Sequence, residues 1–279
     1  MTKTWLITGS SRGFGRALAR HVLDNGHRVV ATARRPEQLK DLVERHGDRV
    51  RAVALDVTDP AAARAAVQLA LDAFGRLDVV VNNAGYANSA AIEDIPDEDF
   101  RAQIETNLFG VVNVTKAALP VLRRQGSGHF LQFSSIGGRV GGSPGLSAYQ
   151  TAKFAVEGFS EVLNAEVGPL GIKVTIIEPG GFRTDWGGSS MTALPVSPAY
   201  EETVGAMNRY REQTAATWPG DPARAARIIT DLVGLDEPPL RLLLGAGAVE
   251  MAANASRTRA AEAERWADIS RSADFPAGE

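Results

Sequence analysis

The sequence predicts a single α/β domain on a doubly wound parallel sheet, with a lid inserted after the sixth strand. Three observations predict it. Short apolar runs alternate with helical patterns along the chain. The runs mostly lack period-2 alternation, as suits strands buried on both faces. A glycine-rich turn joins the first run to the first helix, where α/β proteins of this architecture receive a ligand.

The runs Trp5–Thr8, Arg28–Ala33, Arg51–Leu55, Val79–Val81, His129–Phe133, Lys173–Ile177 and Leu240–Leu244 are rich in Val, Ile and Leu and read as strands. Between them, Phe14–Asn25 reads as a helix stopped by Gly26. Thr58 or Asp59 caps a helix with Pro60 in its first turn, running to Phe74. Two long helices follow, about 97–124 and 149–167, and then Pro222–Val233. No repeat or linker divides the chain, so residues 1–245 are expected to form one domain. Residues 182–219 are too long for an ordinary connection. They hold Gly187, Gly188, Ser189 and Ser190, then a helical stretch near 199–213. Their position after a strand's carboxyl end favours a lid. Residues 246–279, rich in alanine and charge, read as a helical tail.

Composition excludes several classes. Of the 279 residues 44% are hydrophobic, enough for a large core, and the net charge of -3 gives no basic surface for nucleic acid or anionic membrane. There is no cysteine, and the four histidines lack ligand spacing, so no metal site is expected. His27 and His129 open apolar runs and read as strand-end surface residues. No apolar stretch approaches the roughly 20 residues that cross a bilayer. With no apolar signal segment at the N-terminus, a cytoplasmic location is expected.

The first strand ends in Thr8-Gly9-Ser10-Ser11-Arg12-Gly13-Phe14-Gly15. Glycines let the backbone turn tightly toward a pyrophosphate, and the following helix offers free N–H groups. The spacing is Gly-x-x-x-Gly-x-Gly rather than the commoner Gly-x-Gly-x-x-Gly. Further on, Tyr149-Gln150-Thr151-Ala152-Lys153 sets a phenol and an ammonium on one helix face. A free tyrosine, with a pKa of about 10, is a poor base at neutral pH. A nearby lysine and an oxidised nicotinamide would favour its phenolate.

Thr8–Gly15, Asp56-Val57, Asn82-Asn83-Ala84-Gly85, Asn107, Ser134-Ser135, Tyr149…Lys153 and Pro179-Gly180 occur in that order. This series resembles the short-chain dehydrogenase/reductase family, in its compact single-domain, Rossmann-like form, over about residues 3–245. The resemblance implies that Gly9, Ser11, Arg12, Gly13, Phe14 and Gly15 form the pyrophosphate loop. It implies that Asp56 and Val57 hold the adenine, and that Asn83, Ala84 and Gly85 support the fourth strand and the ribose. Ser135 would polarise the substrate carbonyl, and Tyr149 would be the acid or base. Lys153 would bind the nicotinamide ribose and tune Tyr149, with Asn107 carrying a relay water behind it. Pro179, Gly180 and Thr184 would pack on the nicotinamide. The family usually sets its serine thirteen residues before the tyrosine, whereas Ser135 lies fourteen before it. An added residue in the glycine-rich loop 137–145 accounts for the shift, leaving Ser134 to point into the packing.

The expected activity is interconversion of a carbonyl and a secondary alcohol with NADP(H). The second strand ends in Ala33, where an NAD-selective enzyme carries an acid, and Arg34 follows to meet a 2′-phosphate, with Arg12 approaching from the other side. A redox sensor that binds the dinucleotide without chemistry would not need the Ser/Tyr/Lys/Asn set. A nucleotide-sugar epimerase or dehydratase usually shows Gly-x-x-Gly-x-x-Gly and a larger C-terminal domain. Trp186, Met191, Met207, Tyr210 and Trp218 in the lid favour an apolar or aromatic substrate. A homodimer or homotetramer is expected, because Val111, Val112, Val114, Ala118, Phe154, Phe159 and Leu163 exceed one buried stripe.

Overall fold

Each of the seven apolar runs becomes a strand. The computed structural model describes residues 1–187 and 191–275; Gly188, Ser189 and Ser190 of the lid run lie outside the described residues. The strands are β1 (Thr4–Ile7), β2 (Arg28–Ala33), β3 (Val50–Ala54), β4 (Val79–Asn82), β6 (Gly128–Phe133), β7 (Ile172–Pro179) and β9 (Arg241–Leu244). They form one parallel sheet in the order β3-β2-β1-β4-β6-β7-β9. The winding reverses between β1 and β4, which opens a crevice at their carboxyl ends. Two short strands, β5 (Ala87–Ser89) and β8 (Met191–Ala193), pair parallel in a small second sheet. Three residues apiece carry no legible period, so the sequence gives no sign of them.

Ten helices are described. They are α1 (Gly13–Asp24), α2 (Lys40–His46), α3 (Pro60–Phe74), α4 (Asp97–Ile104), α5 (Gly110–Gln125), α6 (Ser147–Val167), α7 (Ala206–Thr214), α8 (Pro222–Leu232), α9 (Ala246–Arg265) and α10 (Ala267–Arg271). One face of the sheet is covered by α1 and α8, through Leu18, Val22, Ala226 and Ile229. The other is covered by α3, α5 and α6, through Ala66, Val67, Val114, Leu122 and Leu163. Double coverage explains the unbroken apolar strands: every residue of β1 and β4 is buried. Asp59 caps α3 through the amide of Ala61 at 2.7 Å. Gly75, with φ of 77°, ends it as a left-handed cap.

Three expectations are corrected. The stretch 97–124 is not one regular helix, since a π-turn over Glu105–Phe109 separates α4 from α5. His129 is buried rather than at the surface, because β6 lies between β4 and β7. Its Nε2 meets Thr175 Oγ1 at 3.0 Å, and burial pulls its pKa down to about 3. Of the apolar positions expected to exceed one buried stripe, Val111, Val114, Ala118 and Leu163 are buried within the chain, the last three in the core under α5 and α6. Phe154 stays exposed, as do Phe109 and Val162. Among the described residues no helix is long and apolar enough to cross a membrane.

Candidate active site

The carboxyl ends of the strands open into a cavity of about 910 Å³. At one end lies the loop from β1 to α1. Gly9 and Gly13 hold left-handed φ of 67° and 54° there. A Cβ on Gly9 would stand 3.0 Å from Ala84 Cα. Both glycines line the cavity with Ser11, Arg12 and Phe14. Gly15 does not. A Cβ there would stand 2.3 Å from Gly9 O and 2.5 Å from Asn83 Nδ2, so its bareness lets α1 seat against the loop. The Asn83 side chain bonds Thr8 O at 2.8 Å, tying β4 to the same turn. Helix α1 starts without a side-chain cap and without an acidic residue in its first turn. Such a terminus suits an anionic group. Gly13 N meanwhile donates to Asp185 Oδ2 at 3.1 Å.

Toward the β2 end, Arg34, Asp56 and Val57 line the cavity beyond Ala33. The amide and hydroxyl of Thr58 bond Asp56 Oδ1 at 3.0 and 2.8 Å, which holds that carboxyl below its usual range.

At the other end sit Ser135, Tyr149 and Lys153. Helix α6 presents Tyr149 and Lys153 one turn apart, both buried. Lys153 Nζ donates to Phe133 O at 2.7 Å and lies 5.7 Å from the Tyr149 ring centre. Burial pulls the lysine down to about 8, with Glu157 opposing the shift. Burial pushes the Tyr149 phenol up to about 12, against a hydrogen bond with Ser135. With the protein's own groups alone, therefore, the phenol keeps its proton.

The two serines diverge. Ser135 Oγ accepts from Gly137 N at 3.0 Å and lines the cavity. Ser134 is buried, and its hydroxyl meets Lys153 O at 3.4 Å and the Glu157 carboxyl. Asn107 sits in the π-turn. Its Nδ2 donates to Tyr86 O and Gln103 O at 2.9 Å each, and its Oδ1 accepts from Tyr86 N at 3.2 Å. A Cβ on Gly85 would stand 2.5 Å from Asn107 Oδ1 and 3.7 Å from Lys153 Nζ, so bare glycine lets these two groups approach. Pro179, Gly180 and Thr184 complete the wall.

The match to known proteins follows this geometry. The family model described as short chain dehydrogenase matches residues 3–194. The chain belongs to the short-chain dehydrogenase/reductase family. It is 55% identical to Oxidoreductase BOA17 of Botryotinia fuckeliana, over 97% of this chain and 98% of that one. A short-chain dehydrogenase from Streptomyces avermitilis superposes with a TM-score of 0.91 at 42% identity, covering 98% of this chain and all of that one. An alcohol dehydrogenase from Thermococcus sibiricus, complexed with 5-hydroxy-NADP, superposes with a TM-score of 0.71 at 28% identity, over 88% of this chain and 96% of that one. The chain is thus an oxidoreductase of the short-chain dehydrogenase/reductase type.

Within that family site, several groups escape a reading by motif. Arg211 of α7 lines the cavity, buried. Behind Lys153, Glu157 shares Arg241 with Glu178 at 3.0 and 3.6 Å, and Glu178 also pairs with Arg139 at 3.3 Å. Burial pushes Glu157 up, and Glu178 adds to the effect. On α9, Arg259 donates to the carbonyls of Arg139 and Val140 at 2.7 and 3.0 Å, bracing the loop that follows Ser135. These contacts join residues far apart in sequence, so no spacing announces them.

Proposed function

We propose that the chain is an NADP(H)-dependent oxidoreductase that interconverts a carbonyl and a secondary alcohol, with Tyr149 as general acid and base. One observation carries the reading: Ser135, Tyr149 and Lys153 meet at one end of a continuous cavity whose other end holds a glycine loop and Arg34. The cofactor supplies or accepts a hydride when bound. Gly9, Ser11, Arg12, Gly13 and Phe14 would hold its pyrophosphate, with Gly15 keeping the loop in shape. Asp56 and Val57 would hold the adenine end, Asn83, Ala84 and Gly85 the ribose region, and Pro179, Gly180 and Thr184 the nicotinamide end. Ser135 orients the substrate carbonyl. Tyr149 gives its proton to the oxygen in reduction and takes it back in oxidation. Lys153 steadies Tyr149 electrostatically, and Asn107 would carry a relay water behind Lys153 through which that proton is resupplied. In this reading 1–245 is the catalytic domain, 182–219 the lid and 246–279 a bracing tail. Incubation with NADPH and a panel of aldehydes and ketones tests it; absence of turnover across the panel overturns it.

Ser135→Ala is expected to lower kcat roughly 10²–10³-fold, the usual cost of one donor to a developing oxyanion. Ser134→Ala, whose hydroxyl faces away, is expected to cost much less. Equal losses, or the reverse order, would move the role to Ser134.

NADPH is expected to be preferred over NADH. No carboxylate stands at Ala33 to repel a 2′-phosphate, and Arg34 is placed to meet one. A hydrogen bond to a charged group contributes about 1.5–3 kcal/mol, a ten- to hundredfold preference. Measured kcat/KM with both cofactors should show it, and Arg34→Ala should shrink it. A wild-type preference for NADH sinks the selectivity. An unchanged ratio in Arg34→Ala and Arg12→Ala sinks its mechanism.

Assembly into a homodimer or homotetramer is supported by the exposed Phe109, Phe154 and Val162 on the α5 and α6 side. Light scattering at micromolar concentration should give a multiple of the 29.6 kDa chain mass. A monomer mass refutes it.

A further inference from the structure

We propose that Arg211 is a specificity-determining residue and that the cavity selects a carbonyl compound bearing a carboxylate, whose oxygens Arg211 meets. The inference rests on the carbonyl–alcohol reading above and names its substrate class. Helix α7 turns Met207, Tyr210 and Arg211 to the cavity, at i, i+3 and i+4. Arg211 is only 7% exposed. Its Nη1 donates to Ser89 Oγ at 3.3 Å and Asn208 Oδ1 at 3.2 Å. Its Nη2 donates to Ser143 Oγ and Pro144 O at 2.8 Å each. Every one of these partners is neutral. The guanidinium is therefore fixed in direction while its charge goes uncompensated by any carboxylate of the described residues.

The contrast with Arg241 is informative. That cation, on β9 and away from the cavity lining, is met by Glu157, Glu161 and Glu178. Burial alone acts on Arg211, pulling it down to about 10, so it stays charged at neutral pH. A buried charge without a counter-charge costs several kcal/mol. A neutral amide could make much of the same clasp without that cost. No acceptor is shown for Nε among the described residues, and Arg211 lines the cavity. The clasp is also tightly built. A Cβ on Gly145, at φ of 83°, would stand 2.4 Å from Ser89 Oγ. The four Nη hydrogens are taken by the clasp, so a carboxylate would be met by the charge of a fixed guanidinium and by Nε–H, through one oxygen. The same cavity is lined by the apolar and aromatic Leu146, Trp186, Met207, Trp218 and Met251 among polar neighbours such as Ser143 and Gln150. The ligand class that fits is an oxo acid on an apolar or aromatic skeleton.

The test uses a panel of aliphatic and aryl oxo acids, each beside its methyl ester, with wild type, R211Q and R211K. Wild type should favour the acid of the best skeleton by at least about tenfold in kcat/KM, the scale of one charge-assisted hydrogen bond. R211Q should bring that ratio near one, with the change in the KM of the acid, and R211K should keep most of it. Calorimetry of the same pairs on the chain saturated with NADP⁺ gives the ratio without turnover. Esters bound as well as acids across the panel overturn the proposal. So does R211Q lowering acid and ester in equal proportion, which would leave Arg211 a clasp only. Should R211Q fail to fold, the wild-type and R211K ratios still decide. A binding preference for acids without reduction of any panel member would instead overturn the carbonyl–alcohol reading and leave Arg211 standing.

Discussion

Tyr149→Phe is expected to lose nearly all turnover while keeping its fold and its affinity for NADPH. Removing a positioned general acid costs typically about 10²–10⁴-fold, and the upper end applies here. Besides the Gly137 amide, Tyr149 is the group bonded to Ser135 among the described residues, and the phenol is held as the acid by burial. The ring itself packs against Ala87, Leu146 and Trp186, and phenylalanine preserves that packing. Stopped-flow NADPH binding and thermal melting should match wild type. Retention of most of kcat would overturn the mechanism. A pH signature accompanies it. Lys153 carries its charge below about 8 and loses it above. Tyr149, pushed up to about 12, remains protonated through that window. Reductive kcat/KM should therefore fall as pH rises through about 8, from loss of the lysine cation and not of the tyrosine proton.

Gly15→Ala is expected to damage cofactor binding and stability together. The added methyl would meet Gly9 O at 2.3 Å and Gly9 C at 2.9 Å, both backbone atoms that cannot swing aside. Overpacking of this kind costs about 1–3 kcal/mol, a melting point lower by several degrees. The loop that must yield is the one bearing Gly9 and Gly13. A displacement of about 1 Å at a binding loop can cost about 10²-fold, and NADPH affinity should fall on that scale. Gly247→Ala is the control, since nothing lies within 4 Å of its Cβ position. Titration of NADPH fluorescence beside thermal melting reads both effects. Wild-type affinity in Gly15→Ala would show that the loop tolerates displacement and that its shape is not what holds the pyrophosphate.

The fold was legible because its strands are covered on both faces. Such strands become continuous apolar runs, and all seven were readable from Trp5 to Leu244. Thr58 or Asp59 as cap, with Pro60 behind it, marked the start of α3 by local chemistry alone, and Asp59 is the cap. The site was legible where function resides in short motifs, and the structure gathers nearly all the named residues on one cavity, Gly15 excepted. What stayed hidden depends on contacts across the chain. The π-turn at Asn107 leaves no periodic trace, because one extra residue in a turn looks like ordinary helix. Seven apolar residues on two helices read as more than one buried stripe requires, and four of them are buried within the chain. The sequence shows how much a helix is apolar, not how deep its neighbours bury it. Arg211 lies in a polar segment, Met207-Asn208-Arg209-Tyr210-Arg211, where nothing separates it from the exposed Arg209 beside it.

The strand order also dictates how the sheet can be assembled as the chain is made. Synthesis proceeds from the N-terminus, and early segments can organise first. Here β1, the first strand produced, stands inside the sheet. β2 docks on β1, β3 on β2, and β4 returns to the free side of β1. β6, β7 and β9 then extend that side in turn. Each new strand finds its neighbour already present, and none must wait for a partner still to be translated. The sheet grows outward from a seed, and the pieces emerging last, β9 and α9, close its edge and brace the loop behind Ser135. The chain order thus lets the sheet be built outward from β1, with the segment that braces the loop behind Ser135 made after every strand of that sheet.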